Sequence, residues 1–373
     1  MTIAVIYGGK SGEHEISLVS GAAVARHIDR KHTVVLMGIT KDGRWFLQDD
    51  AELERIRGDE KAAFRISEKT GTEVSVMPGM GMNAFSAGGR TIRIDVVFPV
   101  LHGTYGEDGT IQGLLEMADI PFVGCTTMTS SLTMDKEKTK AVWQSAGLPV
   151  VPYVTIRRTD MLDSLVYDRL IQHAVDTLHF PLFVKPCCAG SSDGASKART
   201  PKELSLAVME AFHWDDKILI EKAVNAKEVE CAVTGNAVTA PADSDVEKVQ
   251  AYGPGEIVLT HEFYDYNAKY NDSDGTRIPA DLPEELLEKV RTTAVAAYKA
   301  VDASGCSRVD FFYDKDSGNL YLNEINTIPG FTAISMFPKM CDYAGIHFTE
   351  LTELLIQEAV QRYRAHAALQ TSR

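Results

Sequence analysis

Residues 307–331, SRVDFFYDKDSGNLYLNEINTIPGF, decide how this chain is read. The stretch reads as two strands and a turn. In the first strand Arg308, Asp310 and Phe312 share one face, because strand side chains alternate. In the second, over 323–326, Glu324 and Asn326 share one face. Asp316-Ser317-Gly318 has the composition of a three-residue hairpin loop, with Gly318 free to take positive φ. With that loop Lys315 pairs with Asn319, Asp310 faces Glu324, and Arg308 faces Asn326. One sheet face then carries two carboxylates, an amide oxygen and a guanidinium. Mixed charges on a strand commonly form a solvated face with a cross-strand salt bridge. Here Val309, Phe311, Leu320, Leu322 and Ile325 flank the charges and place the hairpin inside a domain, where carboxylates need partners. Oxygen-only ligands at this spacing suit Mg²⁺, which keeps several waters and takes phosphates as its other ligands. The reading depends on register: a two-residue loop with no bulge would put Asp310 and Glu324 on opposite faces.

Composition bounds the remainder. At 373 residues the chain has room for two or three domains. Hydrophobic content of 45% and charged content of 24% are ordinary for a soluble globular protein. The net charge of −14 argues against a nucleic-acid or anionic-membrane partner, so a basic site must be local. No apolar run approaches a membrane span. The N-terminus opens on a short strand, TIAVIYGG, so no signal peptide is expected. Cys125, Cys187, Cys188, Cys231, Cys306 and Cys341 are scattered without zinc spacing, which fits a reduced, cytoplasmic protein.

Along the chain, residues 2–7 read as a buried parallel strand turned by Gly8-Gly9. The loop KSGEHEIS leads to a helix over 17–28 and a strand over 34–39. In such a βαβ opening ligands sit beyond the C-terminal strand ends, where Ser11, Glu13, His14 and Glu15 fall. Residues 71–90 read as a surface hairpin or loop. A strand over 94–100 runs into LHGTYGEDGT, holding His102, Glu107 and Asp108, and then a helix over 111–117. Alone, that histidine reads first as a structural hydrogen-bond donor. MDKEKTKAVWQSAGLPV is a helix ended by Gly147, with Lys136 in its first turn. The spacing over 160–178 predicts a helix turning Leu162, Leu165, Val166, Leu170, Val175 and Leu178 to the core. PLFVKP is a strand carrying Lys185. The loop CCAGSSDGASK follows; it offers N–H groups to phosphate without Walker A spacing, and is otherwise an ordinary hairpin turn. KILIE is a strand, with Glu228 and Glu230 on the next. Residues 239–255 read as a polar surface loop. Phe263, Tyr264, Tyr266, Lys269 and Tyr270 fall in 262–281, which has neither helix nor strand period. A lid over a ligand has this character, as does a loop tucked under its own aromatics. Asp281 and Glu284 read as a capping pair for a helix reaching 301, and an amphipathic helix spans 349–364.

Seven pieces resemble, in order and rough spacing, the ATP-grasp ligases and within them the D-alanine:D-alanine ligases: GGKSGEHEIS, LHGTYGEDGT, FVKPCCAGSSDGASK, ILIEKAVNAKEVECAV, EFYDYNAKY, SRVDFFYD and NEINTIPGFTAIS. The resemblance covers nearly the whole chain. It implies an α/β (α+β) fold, the ATP-grasp fold, with an N-terminal open parallel α/β sheet domain and three domains around a central cleft. These are 1–124, binding the first D-alanine; 125–225, the central ATP-grasp subdomain; and 226–373, the C-terminal ATP-grasp subdomain with lid, metal and second-substrate site. The implied reaction joins two D-alanines through a D-alanyl phosphate and a tetrahedral intermediate. It releases ADP and phosphate and feeds peptidoglycan, hence cell-wall and cell-shape, synthesis in a bacterial cytoplasm. ATP and Mg²⁺ are the implied cofactors, with Mn²⁺ as a substitute and two ions per site. A homodimer without nucleic-acid or membrane partners is implied as well.

The same resemblance implies roles for residues. Glu13 matches the holder of the first D-alanine's ammonium and His102 a residue near its carboxylate. Lys136 and Lys185 match the lysines on the ATP phosphates. Gly190 to Gly194, with Ser191 and Ser192, match the phosphate-covering loop, and Ser191 is linked there to Glu13 and the lid residue Tyr270. Lys269 and Phe263 match lid contacts to the nucleotide. Glu221, Lys222, Val224 and Glu228 match the adenine- and ribose-binding hinge. Asp310, Glu324 and Asn326 match metal ligands. Arg308 and the backbone N–H of Gly330 match the oxyanion pair, and Ser335 a contact to the second substrate's carboxylate. The chain departs from the family at Asp193, where a small apolar residue is usual, and at Cys187 and Cys188, read as packing residues. Tyr270 favours D-alanine over D-lactate. Two alternatives stay open at this point: a D-alanine:D-serine ligase, and a nucleotide-binding module that has lost catalysis.

Overall fold

The computed structural model describes residues 1–190, 193–238, 249–258 and 275–370. Four sheets organise them. The first has the order β3-β2-β1-β7, from Trp45–Leu47, Thr33–Ile39, Thr2–Gly8 and Val96–Val100. β2, β1 and β7 are parallel, and β3 adds an antiparallel edge. As the unbroken apolar run of β1 requires, both of its faces are buried. Ile3, Val5 and Tyr7 pack with helix α1 (His14–His27), and Ala4 and Ile6 pack on the other side near Ile111 and Leu115. Residues 74–92 form a small antiparallel sheet, β4-β5-β6 (Val74–Val76, Phe85–Ala87, Arg90–Ile92). Phe85 of that sheet is fully buried, so the segment expected at the surface contributes to the core.

The second sheet has the order β10-β9-β11-β8, from Ser196–Ala198, Leu182–Pro186, Lys217–Lys222 and Tyr153–Arg157. Alternation divides its faces. Ile156, Val184, Ile218 and Ile220 join one core cluster with the apolar residues of 204–212. Lys185 pairs with Leu219, so Lys185 and Glu221 fall on the opposite face. The third sheet is antiparallel, β14-β13-β12-β15-β16, from Thr276–Arg277, Val249–Ile257, Ala226–Asn236, Ser304–Asp314 and Leu320–Asn326. Its Val229, Cys231, Val233, Val309 and Phe311 pack against the helix Glu284–Ala300. Phe331, Met336, Met340, Leu351 and Leu355, from the two C-terminal helices Met336–Tyr343 and Phe348–Ala367 and the turn before them, join the core of the first sheet. The end of the chain thereby packs against its beginning.

Several expectations need correction. The hairpin of residues 307–331 does not use a three-residue loop. Asp314 N–H donates to Asn319 O, which leaves four residues, 315–318, in the turn. Phe311 pairs with Leu322, one out of the expected register. A bulge at Asn323 then restores the alignment, so Asp310 faces Glu324 and Arg308 faces Asn326 as the sequence suggested. The first helix begins at His14 rather than at 17. Over 158–178 a short 3₁₀ turn, Arg158–Leu162, precedes the helix Ser164–Leu178, and Leu162 and Leu165 are 86% and 71% exposed rather than core-facing. Of the loop expected over 239–255, residues 249–255 belong to β13, and 239–248 lie outside the described residues. The misleading signals were Gly253 and Gly255: a Cβ at either would meet Met340 Sδ at 2.6 Å or Met336 Cε at 2.1 Å, so glycine lets the strand lie against a helix. Asp281 does not cap the helix that follows; its carboxylate pairs with Arg277 at 3.1 Å.

Candidate active site

A cavity of about 110 Å³ opens where the first sheet, the second and the third converge. Its lining includes Glu13, His102, Lys136, Arg308, Glu324 and Gly330. A larger surface hollow of about 460 Å³ beside Arg157 and Lys217 shares no residue with it.

Elements from three parts of the chain bring these groups together. Glu13 occupies the N-cap position of α1, but its carboxylate does not cap the helix. It reaches towards the turn after β7, where a Cβ on Gly103 would lie 3.4 Å from Glu13 Oε2. His102, at the end of that strand, is buried. Its Nδ1 donates to Ile328 O at 3.1 Å, leaving Nε2 to accept from the Ser20 hydroxyl at 3.0 Å. Burial holds the imidazole pKa below its usual value, so the ring is neutral and ties the first sheet to the 326–331 segment. Glu107 completes this corner. Its oxygens accept from Gly103 N–H at 2.8 Å and Ile328 N–H at 3.4 Å. Burial, then the nearby charge of Glu13, pushes its carboxyl up to about 8.

The hairpin supplies the anionic side. Arg308 grips Asp310 bidentately, Nε to Oδ1 at 2.7 Å and the terminal nitrogen to Oδ2 at 2.6 Å. Its Nε also lies 3.1 Å from Oε2 of Glu230, which faces Asp310 across β12 and β15. Asn326 donates its Nδ2 to Asp310 Oδ2 at 2.9 Å. Glu230, Asp310 and Glu324 therefore stand in a row across three strands. The donor chemistry fits a hard divalent cation: two carboxylates, Asp310 and Glu324, and the carboxamide oxygen of Asn326. Among the described residues no three His, Cys, Asp or Glu converge closely enough to hold a metal alone. Ligand and water oxygens would have to complete the shell, as they commonly do for Mg²⁺.

The cationic side comes from the second sheet and from the helix α5 (Lys136–Ser145), the fifth α-helix of the chain. Asp135 caps that helix by accepting from Lys138 N–H, and Trp143 pins it by donating to Ala297 O at 3.0 Å. Lys136 Nζ donates to Ala189 O at 2.8 Å and lies 3.5 Å from Glu324 Oε2. Lys185 Nζ lies 2.8 Å from Glu221 Oε2 and donates to Asn323 Oδ1 at 2.9 Å. The bulge thus aims Asn323 at a lysine of the other sheet. Glu221 is buried with its second oxygen 2.8 Å from Lys140 Nζ. Both its oxygens lie against lysines.

The remaining candidates fall as follows. Lys222 ends β11, Val224 lies in the connection to β12, and Glu228 is on β12 opposite Phe312. Gly330 lines the cavity; a Cβ there would meet Ser335 Oγ at 2.7 Å, so glycine is required for their approach. Ser335 Oγ accepts from Thr332 N–H at 3.1 Å. Asp193 is exposed, Cys187 is buried and Cys188 is exposed, and all six cysteines are free. Ser191, Ser192, Phe263, Lys269 and Tyr270 lie outside the described residues. Sequence reasoning missed Ser20, Lys140 and Glu230, and gave Glu107 no role. Lys140 carried a usable signal: it lies four residues after Lys136, on the same helix face.

Comparisons with known proteins converge on one family. Residues 2–125 match the family described as D-ala D-ala ligase N-terminus, and residues 142–357 the one described as D-ala D-ala ligase C-terminus. A D-alanine--D-alanine ligase of Treponema denticola is 51% identical over 376 residues, covering 100% of both chains. Among solved structures, the D-alanine-D-alanine ligase from Coxiella burnetii superposes with a TM-score of 0.81 at 33% identity, covering 98% of this chain and 96% of that one. The VanG D-Ala:D-Ser ligase from Enterococcus faecalis gives 0.80 at 36% identity, covering 96% and 99%. With both family regions matched and a full-length relative at that identity, the chain belongs to the D-alanine--D-alanine ligase family.

Proposed function

We propose that this protein joins two D-alanines to D-alanyl-D-alanine with ATP, releasing ADP and phosphate, on an ATP-grasp fold divided at about residues 125 and 226. The observation that carries the reading is the meeting of unlike groups at one cavity. Glu13, His102, Arg308 and Gly330 line it together with Lys136 and Glu324, which lie 3.5 Å apart. At about 110 Å³ the cavity is of amino-acid size; larger ligands occupy roughly 300–1,000 Å³.

Each residue has a task that its position supports. Glu13 pairs with the ammonium of the first D-alanine. Lys136 and Lys185 hold phosphate oxygens as point charges on long stems. Asp310, Glu324 and Asn326 hold Mg²⁺, which when bound neutralises phosphate charge. Arg308 and the Gly330 N–H stabilise the oxyanion that develops as the second amine adds to the activated carboxyl, and fixed donors at such a position act most strongly in the transition state. Arg308 suits this because Asp310 and Glu230 already orient its guanidinium. Ser335, beside Gly330, faces the second substrate. Catalysis is then mostly positioning and charge neutralisation. A homodimer in a bacterial cytoplasm supplying peptidoglycan precursors completes the proposal.

The test is ADP release measured with and without D-alanine and Mg²⁺, with the product identified. Release that requires both and yields D-alanyl-D-alanine is expected. Release indifferent to D-alanine, but driven by another amino or hydroxy acid, would sink the reading. Competing D-alanine with D-serine at the second site decides between the dipeptide products.

A further inference from the structure

Lys140 is fully buried, one turn after Lys136 on α5. Its Nζ is 2.8 Å from Glu221 Oε1, and Lys185 Nζ is 2.8 Å from Glu221 Oε2. The side chains of Lys140 and Glu221 are 0% and 2% exposed, while that of Lys185 keeps 8%. The ammonium is held by this ion pair and by the face of the Tyr153 ring, 5.7 Å from the ring centroid, with no second carboxylate against it among the ion pairs of the described residues. A buried cation held in this way is costly, and an apolar side chain in its place is often neutral or better for stability. Its presence therefore calls for a role outside packing.

Charge counting supplies one. Glu221 and Lys185 alone would form a neutral pair, and Glu221 would cancel the charge that Lys185 offers to phosphate. With Lys140 behind it, Glu221 is shared between two ammoniums, and two cations against one carboxylate leave a net charge of +1. We propose that Lys140 is a positioning residue of the nucleotide site: it compensates Glu221 from the core side, so that Lys185, fixed by Glu221 and Asn323, keeps an uncancelled charge for the nucleotide's phosphates. This deepens the functional reading above and rests on it. Burial pushes the Lys140 ammonium down to about 8, which is the strain expected of a lysine kept charged by one carboxylate. The two lysines at the same carboxylate hold its pKa below its usual value against burial.

The experiment measures equilibrium binding of a non-hydrolysable ATP analogue with Mg²⁺, and of adenosine, to the wild-type protein, K140M and K140R. K140M should weaken the analogue at least tenfold and adenosine less than about twofold. K140R, which keeps the charge, should stay within about threefold of wild type for both. Equal loss for analogue and adenosine would mark a merely structural residue and overturn the proposal, as would unchanged analogue binding or a K140R as weak as K140M. If K140M does not fold, E221Q compared with the double variant K140M/E221Q repeats the test without an uncompensated carboxylate. With no carboxylate left to cancel Lys185, the double variant should bind the analogue within about threefold of E221Q; a further tenfold loss would mean that Lys140 acts independently of Glu221 and would overturn the proposal. Wild-type protein that binds neither probe defeats the ligase reading itself; wild-type binding matched by K140M defeats the Lys140 inference alone.

Discussion

Two walls of the same cleft are built alike and charged oppositely. On the third sheet, Glu230, Asp310 and Glu324 surround Arg308: three carboxylates and one guanidinium, a net charge of −2. Facing them, Lys140 and Lys185 hold Glu221 between them, with Lys136 one turn before Lys140 on α5: three ammoniums and one carboxylate, a net charge of +2. Each wall thus holds one ion of the opposite sign, Arg308 between Asp310 and Glu230 and Glu221 between Lys140 and Lys185. The walls meet at the Lys136–Glu324 contact of 3.5 Å and the Lys185–Asn323 hydrogen bond of 2.9 Å. A polyanion with a divalent cation matches both sides at once: the cation answers the carboxylates and the phosphates answer the lysines. Neither wall alone would select that combination.

The comparison breaks most visibly if one wall is neutralised. E324Q removes a carboxylate from the proposed metal set, and turnover should fall by at least roughly 100-fold, with the Mg²⁺ concentration for half-maximal rate moving up. Titrating Mg²⁺ in the ADP-release assay checks it; a normal Mg²⁺ requirement in E324Q would remove Glu324 from the metal set. Next in size, K185M acts on the other wall. The KM for ATP should rise about 10–100-fold, the range for losing a hydrogen bond to a charged group. The Mg²⁺ requirement should stay put. If both variants shifted the same parameter, the division into a metal wall and a phosphate wall would fail.

How much of this was legible in the sequence differs between the walls. The anionic row could be read from one hairpin, because strand alternation and a short turn put Asp310, Glu324 and Asn326 in register. Even so, the assumed loop was one residue short, and the right pairing arose because the Asn323 bulge offsets the longer turn. Alternation alone does not reveal such a bulge. The cationic wall is assembled from α5, β9 and β11, far apart in sequence, and the family resemblance supplied Lys136 and Lys185 where local pattern gave no contact. Lys140 escaped because a lysine in a helix reads as solvent-facing unless a buried partner is known. Glu230 escaped because its role depends on pairing between β12 and β15, seventy-odd residues away. The β13 glycines misled because their purpose is tertiary: they make room for Met336 and Met340.

A smaller effect should follow at the end of the cleft where the walls run out. In G330A the new methyl would lie 2.7 Å from Ser335 Oγ, and overpacking of this kind costs about 1–3 kcal/mol. The KM for the second D-alanine should rise by roughly tenfold, with ATP binding unchanged. Adding S335A, which removes the clashing oxygen, should restore part of the loss. If the double variant is no better than G330A, the close approach of Gly330 and Ser335 does not explain the glycine.

Glu107 belongs to neither wall and gives the finest test of the electrostatics. The carboxyl ionises near 4.5 in an unfolded chain and at about 8 in the fold. Between those values the unfolded chain is ionised while the folded protein holds its proton, so the unfolded state binds fewer protons and stability falls as pH rises. The contribution is fully present below about 4.5 and is lost as pH climbs through about 8. E107Q keeps an oxygen acceptor for one of the two N–H groups and removes the titration. Wild-type protein should therefore lose stability relative to E107Q between pH 5 and pH 8, by on the order of 1 kcal/mol for each pH unit. Urea unfolding at the two pH values measures it. A gap between wild type and variant that is the same at both would mean that Glu107 is ionised throughout, in which case the charge of Glu13 and the burial of this corner do not hold the proton on.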